Sequence, residues 1–210
     1  MEPVVKIVGT GPGDPRYLTP LAQEAIKSAQ VLVGGLRQLQ TLASPHQEQY
    51  VVGKDLPSVV DFINEQRHNK TVVVLASGDP GLFSIASYLA QHLDPDNLEF
   101  IPGISSVQVM FARLKRPWQE VPVYSLHGRS LEDLESLFQH ATISVLLTGG
   151  IWTPQAIAQH LLGRHRSETR VAIGQNLSYP DEKLIFSTLG KLVEDPGDYK
   201  NCVMVMFYEQ

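Results

Sequence analysis

Sulfur, tryptophan and surplus charge are all scarce in this chain. Cys202 is the one cysteine among 210 residues, which rules out an internal disulfide framework. Its neighbours Val203, Met204, Val205, Met206 and Phe207 make a buried, reduced thiol the expectation rather than a nucleophile. No apolar run approaches the ~20 residues of a spanning helix. The N-terminus passes straight into a strand pattern, with no basic stretch ahead of an apolar one. A cytoplasmic location and no membrane partner are therefore expected. The formal net charge of −5 argues against nucleic acid as a partner, though clustered arginines can still grip a small acidic molecule. The histidines form no H-E-x-x-H and have no convergent cysteines, so no metal site is expected.

What is present is the mixture of an ordinary globular protein, 43% hydrophobic with both signs of charge, long enough for one large or two compact domains. The organising stretch is V-V-K-I-V-G-T-G-P-G-D-P at 4–15. Val4, Val5, Ile7 and Val8 read as a strand buried on both faces, the habit of a parallel sheet. Gly9, Gly11 and Gly13 with Pro12 then impose a tight turn. Thr19 offers an N-cap, Pro20 suits the first helical position, and Leu21, Ala25, Ile26 and Ala29 give helical spacing to about Ser28. Strand, glycine loop and helix suggest a nucleotide site, but a dinucleotide needs G-x-G-x-x-G running into the helix. Here Asp14 would repel a pyrophosphate, and Val31–Val33 ends in Gly34-Gly35 without the ribose-binding acid.

Strand and helix patterns alternate onward. Leu36, Leu39 and Leu42 predict a short helix, Val51-Val52 an extended piece, 57–68 a helix, and 72–75 a doubly buried strand ending in Ser77-Gly78-Asp79-Pro80-Gly81. A helix over 83–89, a strand at 100–101 and a helix over 105–114 follow. Two prolines within 115–122 mark a boundary. Beyond it, strands are expected at 123–126, 143–147, 170–173, 183–187 and 202–207, with helices at 131–138 and 154–162. The close spacing after 170 implies antiparallel pairing. The expected architecture is two α/β domains, 1–115 with a mostly parallel open sheet and 116–210 with a mixed one, and ligands in the cleft between them.

Asp14 and Asp79 sit at loop tips, either as acids or bases or as braces bonding neighbouring backbone amides. His127 ends a strand beside Gly128-Arg129, and either serves the site or bonds backbone in a turn. Gly78 and Gly103 suit close approach of backbone to a ligand. Arg16, Arg37, Arg113, Lys115, Arg116 and Arg129 are candidate partners for carboxylates, Arg129 and then Arg16 foremost.

The opening stretch resembles the tetrapyrrole methylases, whose first strand runs into G-x-G-P-G-D-x-x-x-L-T; Gly9, Gly11, Pro12, Gly13, Asp14, Leu18 and Thr19 fit position by position. A-S-G-D-P-G-L-F at 76–83, I-P-G-I-S-S at 101–106 and L-L-T-G-G at 146–150 agree in order, so the resemblance spans Val4 to Lys191. S-L-H-G-R at 125–129 and G-Q-N-L-S-Y-P-D-E at 174–182 look like the branch that methylates carbon 5 of cobalt-precorrin-7. The resemblance implies S-adenosylmethionine as donor, held by Pro12, Ser77, Gly78, Asp79, Leu82, Ser105 and Ser106, with Thr148 and Asn176 from the second domain. It implies a tetrapyrrole substrate of the cobalamin pathway, served by His127 and Arg129; Asp14, at its loop tip, is the further catalytic candidate, and a homodimer is expected. Methylation at carbon 15 with decarboxylation would belong to a separate chain. Two departures stand out: Ser77 replaces a glycine common in relatives, and Leu177 lies where some carry glycine. The alternatives are a relative acting at another ring carbon, on diphthine or on ribosomal RNA, and a tetrapyrrole-binding module without catalysis.

Overall fold

The structure, a computed structural model, describes residues 3–127, 142–163 and 167–208. The chain divides into two compact units, Met1–Ser105 and Ser106–Gln210.

The first unit is built on a five-stranded sheet of β1 (Val5–Gly9), β2 (Val31–Gly34), β3 (Glu48–Val51), β4 (Val72–Ala76) and β5 (Leu98–Ile101), in the order β3-β2-β4-β1-β5. Every pairing is parallel, as the β-branched runs predict. Side chains alternate between faces, so each face needs its own cover. Val5, Ile7, Val31, Val33, Val72 and Val74 pack with α3 (Leu56–Arg67) and α4 (Ala86–His92). Val8, Leu32, Val73, Leu75 and Ile101 pack with α1 (Pro20–Ser28) and α2 (Leu36–Leu42).

Caps set these helices in place. Thr19 Oγ1 accepts from the Ala22 amide at 3.2 Å with Pro20 at the first turn of α1, as read from the sequence. Buried Gln47 donates to the Ile26 and Ala29 carbonyls at 2.7 and 2.9 Å, satisfying the far end of α1. The helix expected from residue 83 starts at Ala86, because Phe83 holds a positive φ of 48° that no helix accommodates. The dipeptide Asp-Pro occurs at 14, 79, 94 and 195, and each time the carboxylate accepts the amide two residues on, at Arg16, Gly81, Asp96 and Gly197.

The second unit holds α5 (Ser106–Leu114), α6 (Pro154–Leu161), α7 (Leu189–Val193) and a five-stranded sheet. Its strands β6 (Val123–Ser125), β7 (Ile143–Leu147), β8 (Arg170–Gln175), β9 (Lys183–Thr188) and β10 (Cys202–Phe207) run in the order β6-β7-β10-β8-β9. The sheet is mixed: β6 and β7 are parallel, and β10 is antiparallel to β7 and β8, as is β8 to β9. Leu146, Val171, Ile173, Met204 and Met206 on one face pack with α6 and α7. α5 packs on β10, and Gly174 leaves the room that the Met110 sulfur needs. The helix expected over 131–138 lies outside the described residues.

Candidate active site

In a parallel sheet the loops after the strands gather at one edge, where ligands of open α/β folds bind. Here β1 lies between β4 and β5, so the loops after Gly9, Ala76 and Ile101 are neighbours. They interlock through backbone. Gly11 and Gly78 exchange amide bonds of 3.2 and 2.9 Å, each with the positive φ (74° and 70°) that glycine alone adopts readily. A Cβ on Gly9 would stand 2.6 Å from the Gly103 nitrogen and 2.7 Å from the Gly78 oxygen. Asp79 ties the loops together, one oxygen accepting from Gly81 at 2.8 Å and the other from Gly103 at 3.0 Å.

Asp14 is similarly engaged. Its carboxylate accepts the Arg16 amide at 2.8 Å and the Arg16 guanidinium at 2.9 and 2.6 Å. Those bonds hold the carboxyl below the usual carboxylate range, so it stays ionised at neutral pH. The Arg16 side chain is 85% exposed, which presents a fixed cation at the end of the first glycine loop.

Of the residues expected from sequence, Pro12, Ser77, Gly78, Asp79, Leu82 and Ser105 all fall in these loops of the first unit. Ser77 is exposed, Leu82 half-buried, and Ser105 buried with its Cα at the 3.4 Å where a Gly78 Cβ would touch. Ser106 opens α5 in the second unit. Within that unit the ends of β6, β7 and β8 lie at the edge where β10 begins. Thr148 is there, buried, donating its hydroxyl to the Cys202 carbonyl at 2.9 Å. Asn176, at φ 48°, donates to Asp181 at 2.7 Å and accepts from Asn201 at 3.3 Å. His127 is exposed at the same edge, and its ring fills the space a Gly149 Cβ would need. His127, Thr148 and Asn176 are thus brought to one edge; Arg129 lies outside the described residues.

Sequence reasoning missed the support of the first loop. Thr10 Oγ1 donates to the Ala76 carbonyl at 3.0 Å and accepts from Gln38 at 2.8 Å, while Gln38 Oε1 accepts the Gly35 amide at 3.1 Å. A glutamine three residues after Gly35 at a helix start was a visible capping signal. Its reach to Thr10 had none.

Comparison with known proteins agrees with this geometry. The family model for Tetrapyrrole (Corrin/Porphyrin) Methylases matches residues 4–193. The cobalt-precorrin-7 C(5)-methyltransferase of Salmonella typhimurium is 33% identical over 181 residues, covering 86% of this chain and 89% of that one. The cobalt-precorrin-4 C(11)-methyltransferase of Methanocaldococcus jannaschii is 29% identical over 208 residues, covering 90% of this chain and 80% of the other. Among solved structures, the uroporphyrin-III C-methyl transferase from Thermus thermophilus complexed with S-adenosylhomocysteine shares the fold, with a TM-score of 0.78 at 24% identity and 97% of each chain covered. Tetrapyrrole methylases use S-adenosylmethionine as their methyl donor. With residues 4–193 matched by the family model and a relative one-third identical over most of its length, the chain belongs to the tetrapyrrole (corrin/porphyrin) methylases.

Proposed function

We propose that the chain is an S-adenosylmethionine-dependent C-methyltransferase that adds a methyl group to carbon 5 of cobalt-precorrin-7. The observation that carries the reaction class is the interlock of three loops, whose backbones leave no room for a Cβ at Gly9 or Gly103 and hold Gly78 at a positive φ of 70°. Those loops fit the donor. Backbone groups and the small Ser105 leave room for adenosine and methionine parts, and the Asp79 carboxylate tolerates a sulfonium where it would repel a pyrophosphate. When bound, the donor supplies a methyl already activated by positive sulfur, so the protein's task is alignment and exclusion of water.

The chain's own residues divide that task. Ser77, Gly78, Leu82 and Ser105 are assigned to the donor, with Pro12 and Asp79 shaping the loops, and the resemblance in sequence assigns Ser106, Thr148 and Asn176 to it as well. Arg16 meets a substrate carboxylate, and Asp14 positions it through the paired bonds to its guanidinium. His127, and Arg129 by its sequence motif, are assigned to the substrate. Carbon 5 rests on the likeness to the Salmonella typhimurium relative; the second relative, acting at carbon 11, makes that carbon the competing reading.

The deciding experiment incubates the protein with cobalt-precorrin-7 and donor carrying a ¹³C methyl. Mass analysis is expected to show one added methyl, and the carbon spectrum to place it at carbon 5. Label at carbon 11, or donor binding without transfer, overturns the assignment.

A further inference from the structure

Where β8 ends and β10 begins, three residues other than glycine hold left-handed backbone: Asn176 at φ 48°, Ser178 at 74° and Asn201 at 52°. L residues rarely adopt this conformation, and such outliers gather where a ligand or a reaction needs them. The last paired residues of the two strands are Gln175 and Cys202, so Asn176 and Asn201 are the next step of the same ladder. The Asn176 amide still donates to the Asn201 carbonyl, at 3.2 Å. Their side chains also meet, the Asn201 Nδ2 donating to the Asn176 Oδ1 at 3.3 Å.

The chain after Asn176 turns back on it. The Tyr179 amide donates to the Asn176 carbonyl at 3.0 Å, the Glu182 amide to the Tyr179 carbonyl at 3.0 Å, and the Ser178 amide to the Glu182 carboxylate at 2.6 Å. This turn returns Asp181 to Asn176, whose Nδ2 donates to the Asp181 Oδ2 at 2.7 Å. A carboxylate only accepts, so Asp181 dictates that the nitrogen end of the Asn176 carboxamide faces it. The oxygen end then faces Asn201, whose own amide turns its nitrogen inward to match. One carboxylate fixes the sense of two carboxamides in a row.

An asparagine side chain carries two N–H donors and two oxygen lone pairs. Asn176 uses one of each in these bonds, so among the described residues one N–H and one lone pair remain, in a fixed sense. We propose that Asp181 and Asn201 are positioning residues that set the sense in which Asn176 offers its carboxamide to S-adenosylmethionine. The inference rests on the assignment of Asn176 to the donor. Sense matters to this ligand. Its ammonium only donates, its carboxylate only accepts, and its adenine edge carries donor and acceptor at fixed places, whereas the ribose hydroxyls serve either way. If the bonds merely stapled the turn to β10, either orientation of the carboxamide would do.

An exchange of partners separates the two roles. In Asp181→Asn combined with Asn201→Asp the carboxylate stands on the other side of Asn176, so both bonds re-form with the carboxamide reversed. Both residues are exposed, and aspartate tolerates left-handed backbone as asparagine does. The full chain and its variants are titrated by calorimetry with S-adenosylhomocysteine, which carries the same polar groups, and scanning calorimetry gives Tm. Each single exchange is expected to lower Tm by about 2 °C and to weaken binding about fivefold. The double exchange is expected to bring Tm back to within about 1 °C of the parent while binding stays weak. Recovery of both overturns the proposal, and so does a double exchange that melts no higher than the single ones, or single exchanges that bind like the parent. Asn176→Ala separates the proposal from the assignment beneath it. A loss of about tenfold is expected and keeps Asn176 on the donor even where the exchange overturns the positioning role. Parent-like binding by Asn176→Ala removes Asn176 from the donor and overturns the proposal with it.

Discussion

Replacing Gly9 by alanine puts one methyl group where three loops meet. The new Cβ would lie 2.6 Å from the Gly103 nitrogen and 2.7 Å from the Gly78 oxygen, against about 3.4 Å for ordinary contact, so the backbones must part by about 0.7 Å. Neither neighbour yields cheaply. Gly78 is held by its two bonds to Gly11, and Gly103 by the Asp79 carboxylate. Overpacking of this kind costs roughly 1–3 kcal/mol, and weakening one of the bridging bonds adds roughly 1 kcal/mol. For a chain of this size that is a fall in Tm of about 5–12 °C. Because the same loops hold the donor in the proposed reaction, affinity for S-adenosylhomocysteine should fall about tenfold or more. Gly53→Ala is the control, since a Cβ there meets nothing within 4 Å, and it should move Tm by no more than about 2 °C. Scanning calorimetry and ligand titration on the three proteins decide the matter. A Gly9→Ala protein that melts and binds like Gly53→Ala would refute the claim that the loops are locked.

Further outcomes follow from individual contacts. The Asp14 carboxyl, held low chiefly by the Arg16 side chain, should titrate below 3.8 in a carbon-detected NMR experiment, and Arg16→Ala should raise it. Because its folded value is depressed, its contribution to stability is present above about pH 4 and is lost as pH falls through the folded value. Burial pushes the Cys202 thiol up to about 12, so iodoacetamide at pH 8 should spare the native protein and label it once unfolded. That raised value means a contribution fully present below about pH 9 and lost as pH rises further. Glu182, whose carboxyl is held low first by Arg113, also accepts the Ser178 amide at 2.6 Å. Glu182→Gln should cost about 1 kcal/mol, discounted for the part-exposed Arg113, and thermal melts will show it.

The sequence was most informative where local chemistry dictates backbone. Thr19-Pro20 marked the start of α1 to the residue, and the run at 72–75 announced a strand covered on both faces, because both signals are short-range. The glycine loops were legible for the same reason: Gly11 and Gly78 occupy conformations that other residues rarely enter. β3 starts three residues before the Val51-Val52 piece expected, since Glu48-Gln49-Tyr50 at a sheet edge carries little apolar pattern. α7, five residues long, is too short to show a helical period. At the site, the role of Gln38 depends on Thr10, 28 positions away, and no window along the chain contains both. The partnership of Asp14 with Arg16 spans two residues, yet an exposed arginine in sequence looks like any other.

The four Asp-Pro turns have a chemical consequence. The peptide bond between aspartate and proline is the one that mild acid cuts most readily, because the aspartyl carboxyl can attack its own carbonyl carbon while the basic proline nitrogen takes a proton and leaves, water then opening the cyclic anhydride. In each turn that carboxyl is instead directed forward, onto the amide two residues ahead. Scission at 14, 79, 94 or 195 therefore requires the turn to open first. Fragment masses collected over time in dilute formic acid would rank the four turns by how readily each opens, with the two glycine loops at 14 and 79 read alongside two turns elsewhere in the chain.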